Sequence, residues 1–122
     1  MARLTDPEIL ARYLKALTEW QIAGTVEFVG RAHEELQGLR TMLSGLKVNE
    51  FKEILYRFVC EEDGEIDQVK EKRERWRDHW EWHYDLRPTI NGVKLYVETR
   101  LFPESFSSRE EPIIYIVRIK PA

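Results

Sequence analysis

The chain has 122 residues, 43% of them hydrophobic and 34% charged, with a formal net charge of -3. That length suits one core and not two, and the hydrophobic share excludes disorder by low hydrophobicity. The acidic balance removes a general electrostatic case for binding nucleic acid or membrane and leaves only local basic patches for that purpose.

Met1 to Asp6 contain no apolar secretion stretch, and the longest apolar run, Ile113 to Val117, is too short to span a bilayer. The single cysteine, Cys60, sits in an apolar helical pattern and reads as a small buried hydrophobe. Cytoplasmic residence without a membrane partner is the expectation.

Thr5-Asp6-Pro7-Glu8 predicts a helix start in which Thr5 caps, Pro7 occupies the first turn and Glu8 completes a capping box, with Leu4 and Ile9 as a hydrophobic staple. Ile9, Leu10, Tyr13, Leu14, Leu17 and Trp20 then recur at helical spacing. Between Gly24 and Gly30 the β-branched and aromatic run Thr25-Val26-Glu27-Phe28-Val29 predicts a short strand. Ala32, Leu36, Leu39 and Leu43 form a second helical stripe ending at Ser44-Gly45. A third helix is capped by Asn49, buries Phe51, Ile54, Leu55, Phe58 and Val59, and stops at Asp63-Gly64.

Ile66, Val69 and Trp76 extend helical spacing through Lys70-Glu71-Lys72-Arg73-Glu74-Arg75. Interleaved signs of this kind describe a solvated helix face, or else a docking surface for RNA or a partner.

Trp80, Trp82, Tyr84, Leu86 and Ile90 alternate with polar residues, as a strand with one buried face does. Asn91-Gly92 supplies a two-residue type I′ turn that sets Ile90 against Val93, Leu86 against Val97, Tyr84 against Thr99 and Trp82 against Leu101. A polar loop from Pro103 to Glu111 leads to a last strand, Ile113 to Val117, apolar on both faces, with Arg118 and Lys120 near its end. The fold expected is α+β in a single domain over residues 1–122. It has an additional N-terminal helix in 1–22, further helices and a short strand, then a three-stranded antiparallel meander over 79–120.

The polar face of the hairpin carries the candidate chemistry. Asp85 faces Glu98 there, a like-charge pair that needs flanking cations, for which Arg87 and Arg100 stand on the diagonals. His83, Arg87, Tyr96, Glu98 and Arg100 together offer an acid/base, phosphate-binding cations and a carboxylate on one surface; a plain charge ladder is the alternative. His79 and His83 are about 13 Å apart on a strand, too far to share an ion, so neither a metal nor another cofactor is expected. Trp76, Trp80 and Trp82 cluster at the helix-to-sheet junction, where core is the expectation and base stacking the alternative.

From Val26 onward the chain resembles the RelE/MqsR-like toxins of bacterial toxin–antitoxin systems. The resemblance lies in Phe28-Val29-Gly30-Arg31-Ala32, the helix after Asn49, Tyr84-Asp85-Leu86-Arg87-Pro88, Gly92-Val93-Lys94-Leu95-Tyr96-Val97 and the strand Ile113 to Lys120. It implies a messenger-RNA endonuclease or an inactive relative, with RNA or the ribosome and a cognate antitoxin as partners. Tyr96, Arg100, Arg87 and Arg118 or Lys120 would be the counterparts of the residues that orient the 2′-hydroxyl and stabilise developing charge. Where that family tends to place lysine two residues after the strand tyrosine, this chain has Glu98, which either serves as general base or marks lost activity. Two further expectations stand beside this one: a non-catalytic protein-binding module of a phage or mobile element, and a homodimeric structural protein.

Overall fold

The computed structural model describes residues 2–104 and 110–122. The middle of the expected Pro103 to Glu111 loop, residues 105–109, lies outside the described residues, as does Met1.

Strand β1 (Ala2–Arg3) runs into helix α1 (Pro7–Thr18). Asp6, not Thr5, is its N-cap: the Asp6 carboxylate accepts the backbone N–H groups of Glu8 at 3.0 Å and Ile9 at 3.1 Å. Pro7 at the first helical position puts the cap one residue later than the Thr5 pattern implies. Helix α2 (Trp20–Ala23) and strand β2 (Val26–Phe28) follow, the strand where the glycine-bounded run predicts it. Helices α3 (Ala32–Gly38) and α4 (Val48–Cys60) come next. Helix α4 begins before Asn49, and its orphan donor at Lys47 N is met by Glu50 Oε1 at 3.1 Å. Cys60 is exposed at the last position of α4 and not buried, because the buried stripe ends at Val59.

Strands β3 (Asp67–Lys70), β4 (Trp82–Leu86), β5 (Thr89–Ile90), β6 (Val93–Phe102) and β7 (Ile113–Pro121) complete the described elements. Among the described residues they form one mixed seven-stranded sheet in the order β1-β3-β4-β6-β7-β2, with β5 paired to β6. The expected meander is its centre, β4-β6-β7, but the sheet is larger and mixed. Strand β2 joins β7 in parallel, and β3 adds antiparallel to β4.

Strand β3 replaces the helix expected through Ile66 and Val69. A short charged run carries too little periodicity to separate the two forms, and β4 offers a row of backbone groups that β3 satisfies, with Asp67 opposite Asp85 and Val69 opposite His83. Strand β4 starts at Trp82, leaving Trp80 outside it. It ends before Pro88, which has no N–H for the ladder, so the hairpin tip is the separate strand β5.

The turn and its register agree with the sequence reading: Ile90 pairs with Val93, Leu86 with Val97, Tyr84 with Thr99, and Asp85 with Glu98. Asn91 and Gly92 both have positive φ, 53° and 78°. Between Glu98 and Thr99 the β6–β7 register shifts, Glu98 pairing Arg118 and Thr99 pairing Ile116, so Val117 bulges.

Helices α1 and α4 pack on one sheet face. Leu17, Phe51 and Leu55 are fully buried with Leu86, Val97, Ile114 and Ile116, and Leu14, Phe58 and Trp82 pack against them. Thr99 ties helix to sheet: its hydroxyl donates to the Tyr84 carbonyl at 2.7 Å and shares a 2.7 Å hydrogen bond with the Tyr13 hydroxyl. No helix among the described residues is long and apolar enough to cross a membrane.

Leu55→Ala should lower unfolding free energy by about 2–5 kcal/mol through the cavity it leaves, measured by urea denaturation. Gly92→Val should cost more than about 1 kcal/mol, because a β-branched residue cannot take that positive φ without strain.

Candidate functional site

The pleat puts His83, Asp85, Tyr96, Glu98 and Arg100 on the sheet face opposite the helices, as the alternation predicts. That face is not open to water. His83, Asp85, Glu98 and Arg100 are 8%, 2%, 3% and 1% exposed, so the charge-ladder reading is overturned. What covers them is the segment after β3. Residues 74–79 form turns rather than the expected solvated helix, and Glu71 N donates to Glu81 O at 2.9 Å, closing the segment at its ends.

Of the two cations expected beside the Asp85–Glu98 pair one is there, Arg100, and the other contact to Glu98 comes from Arg73. Arg73 grips Glu71 through Nε and Nη2, each at 2.9 Å, and reaches Glu98 Oε2 at 2.6 Å. Arg100 Nη2 lies 2.9 Å from Glu71 and 3.7 Å from Glu98, so two guanidiniums alternate with two carboxylates. Asp85 accepts from or pairs with His83 Nδ1 at 2.8 Å. Arg87 turns away to pair with Asp67 and stacks over the Tyr96 ring at 5.5 Å, with Lys120 at 5.1 Å from the same ring. Arg100 thus flanks the pair as expected, whereas Arg87 does not reach Glu98 and Arg73, read as solvated, does.

Burial pushes the Glu71 carboxyl up, but hydrogen bonds from Arg73 and Arg100 outweigh it and hold the group at about 2. Its bonds to Glu71 and then Glu98 raise the Arg73 guanidinium further. Burial, then the charges of Asp85 and Glu98, raise the Tyr96 phenol well above its ordinary value, so it stays protonated and donates to Glu98 Oε1 at 3.1 Å. The ligand atoms of His83, Asp85 and Glu98 lie within 4.8 Å of one another, a spacing that fits one cation. Each already has a protein partner, His83 with Asp85 and Glu98 with Arg73 and Tyr96, so the charge a cation would neutralise is largely met.

Beside this network lies a cavity of about 730 Å³ between the 75–80 segment, residues 29–31 and β7. Arg31, Arg75, Arg100 and Arg118 line it, with Trp76, Trp80 and Tyr115. The Arg100 guanidinium carbon stands 5.1 Å from the Trp76 ring centroid and 5.3 Å from that of Trp80. Its Nη2 is spent on Glu71, while Nε and Nη1 are buried without a hydrogen-bond partner. Arg118 Nε lies 3.8 Å from Glu35, and Arg75 stacks on Trp76 at 5.3 Å. Trp80 and Tyr115 also meet Phe102, the three rings packing edge to face or tilted at 6.1–6.4 Å.

Of the residues singled out from the sequence, Arg100 belongs to both network and cavity, and Arg118 to the cavity. His83, Tyr96 and Glu98 belong to the network, and Arg87 to neither. Glu71, Arg73 and Arg75 were missed as site residues because their run reads as a solvated helix. The signal was Trp76 and Trp80 just after that run, two large apolar side chains that a fully solvated segment would leave in water.

Comparison of the chain with protein-family models, curated proteins and solved structures finds no match in any of the three. The class that the fold and site define is therefore structural: an α+β domain whose mixed sheet is covered on one face by helices and on the other by an ion-paired segment.

A carboxyl depressed from its ordinary 4.5 to about 2 contributes stability that is complete above 4.5 and is lost as pH falls through 2. Wild-type stability should accordingly fall between pH 4.5 and 2 more steeply than that of Glu71→Gln, which should be the less stable of the two at pH 7. Urea unfolding across this range checks both.

Proposed function

We propose that this chain binds single-stranded RNA in the cavity between the 75–80 segment and β7, and does not cleave it. The observation that carries the reading is the lining, in which four arginines and three aromatic rings meet at one opening, one arginine having donors unmet. Planar guanidiniums suit phosphate oxygens, and indole and phenol faces stack any base. With a net charge of -3, attraction for RNA must be local, and four arginines against one glutamate, Glu35, line this opening, although Arg31, Arg118 and Arg100 each have an acidic neighbour in Glu34, Glu35 and Glu71.

Binding without cleavage is supported by the state of the expected catalytic groups. Tyr96 donates to Glu98, Glu98 is held by Arg73, and His83 is engaged by Asp85. A phosphodiester would have to displace these partners to reach them. The RNA half of this proposal extends the likeness to RelE/MqsR-like toxins, and the catalytic half departs from it.

Anisotropy of a labelled single-stranded oligoribonucleotide, titrated with purified protein over a range of salt, tests the reading. With three arginine–phosphate contacts, log K should fall against log salt with a slope of about −2. The double variant Arg75→Gln/Arg118→Gln should bind at least about tenfold more weakly, as two lost charge-assisted contacts require. Absence of binding, or unchanged affinity in the double variant, would sink the RNA reading; shortened RNA after incubation would sink its non-cleaving half.

A further inference from the structure

We propose that the cavity takes the end of an RNA chain, with a terminal phosphate monoester reaching Arg100 from between the indoles of Trp76 and Trp80. This rests on the RNA-binding reading and narrows it to one kind of phosphate.

Two depths of cation stand in the cavity. Arg75, Arg118 and Arg31 are exposed at its rim, whereas Arg100 has a side chain 2% exposed and stands on the inner wall. Glu71 and Glu98 hold Arg100 from the far side through Nη2, which leaves Nε and Nη1 without partners. Buried N–H groups are costly to leave unmet, and a guanidinium between two ring faces has only part of its hydrogen-bonding capacity replaced by cation–π attraction. A group that brings anionic oxygens to that wall recovers what is missing.

The geometry selects which phosphate can do so. A phosphodiester within a strand carries carbon on two of its oxygens and drags chain on both sides, so it stays at the rim with the exposed arginines. A monoester at a chain end presents three free oxygens and close to two negative charges in one direction. It enters head first, and the nucleoside behind it meets Trp76, Trp80 and Tyr115, all half-buried. Because Arg100 lies against both indoles, the phosphate reaches it only as one of those rings shifts, and tryptophan fluorescence reports the event.

The aromatic lining is what favours a nucleotide over a phosphorylated peptide, whose side chain carries no base to stack. A 5′ and a 3′ end present the same chemistry at this wall, and the test separates them.

The experiment titrates wild-type protein with one pentaribonucleotide prepared with a 5′-phosphate, with a 3′-phosphate, or with hydroxyls at both ends. Affinity is read by calorimetry and ring movement by tryptophan fluorescence. One phosphorylated form is expected to bind at least about tenfold tighter than the hydroxyl form, with a fluorescence change the hydroxyl form lacks. That preference should shrink below about pH 6 as the monoester dianion takes up a proton and becomes a monoanion. Arg100→Lys keeps a cation beside Glu71 and Glu98 but lacks the further donors, and should lose most of the preference. If that variant does not fold, adenosine 5′-monophosphate or adenosine 3′-monophosphate competing better than adenosine on wild type is the expected result, and equal competition by all three overturns the proposal. Tight binding that is equal for all three ends overturns terminal recognition and leaves RNA binding standing. No binding of any form removes both readings, and a phosphoserine peptide binding as tightly as the phosphorylated RNA overturns the choice of ligand.

Discussion

Arg73 reaches across from a segment with no regular structure to a carboxylate in the middle of the sheet, 2.6 Å from Glu98, and grips Glu71 of its own segment with two more contacts. Arg100 closes the same square from the sheet side. Because Glu71 is fully buried and Glu98 and Arg100 nearly so, the arrangement tolerates little imbalance. Removing one member of such a buried set typically costs about 3–5 kcal/mol, mostly by stranding the charge left behind. The network does not by itself imply high stability, since a well-packed apolar cluster would serve as well. It implies one position for the segment, because that position brings Arg73 to Glu98 and Glu71 to Arg100.

From that one position the rest of the second face follows. Once residues 71–73 are pinned, the turns at 74–79 must run over the sheet, and Trp76 and Trp80 find their apolar surface against Arg100, Phe102 and Tyr115. The sheet is thus buried on both sides, by helices through van der Waals packing and by the segment through charge. The cavity is the remainder, where the segment stops short of β7. Its cations come from β6, β7, the segment and the residue after Gly30, four places in the sequence that share nothing except this edge of the fold.

The Val117 bulge contributes to that edge. It breaks strict alternation in β7, so that Tyr115, Val117 and Arg118 all reach the cavity while Ile114, Ile116 and Ile119 stay in the helix-side core. The strand, apolar on both faces in sequence, has one face in the core and one at a cavity.

The sequence alone determined what depends on neighbours a few residues apart. Asn91-Gly92 can hold the positive φ values of a tight turn, and alternation with period two admits one register, so the β4–β6 pairing and the face carrying His83, Tyr96, Glu98 and Arg100 were legible. The apolar stripes of α1 and α4 were legible for the same reason, with caps displaced by a residue or two. Tertiary structure decided what depends on distant partners. Arg73 and Glu98 are 25 residues apart and Arg100 and Glu71 29, and nothing local to Lys70–Arg75 distinguishes a charge that will meet water from one that will meet a buried carboxylate. A strand in place of a helix at Asp67–Lys70, a covered polar face and the arginine-lined cavity all follow from those distant pairings, because ion pairs and edge hydrogen bonds are chosen by what the fold brings near and not by spacing along the chain.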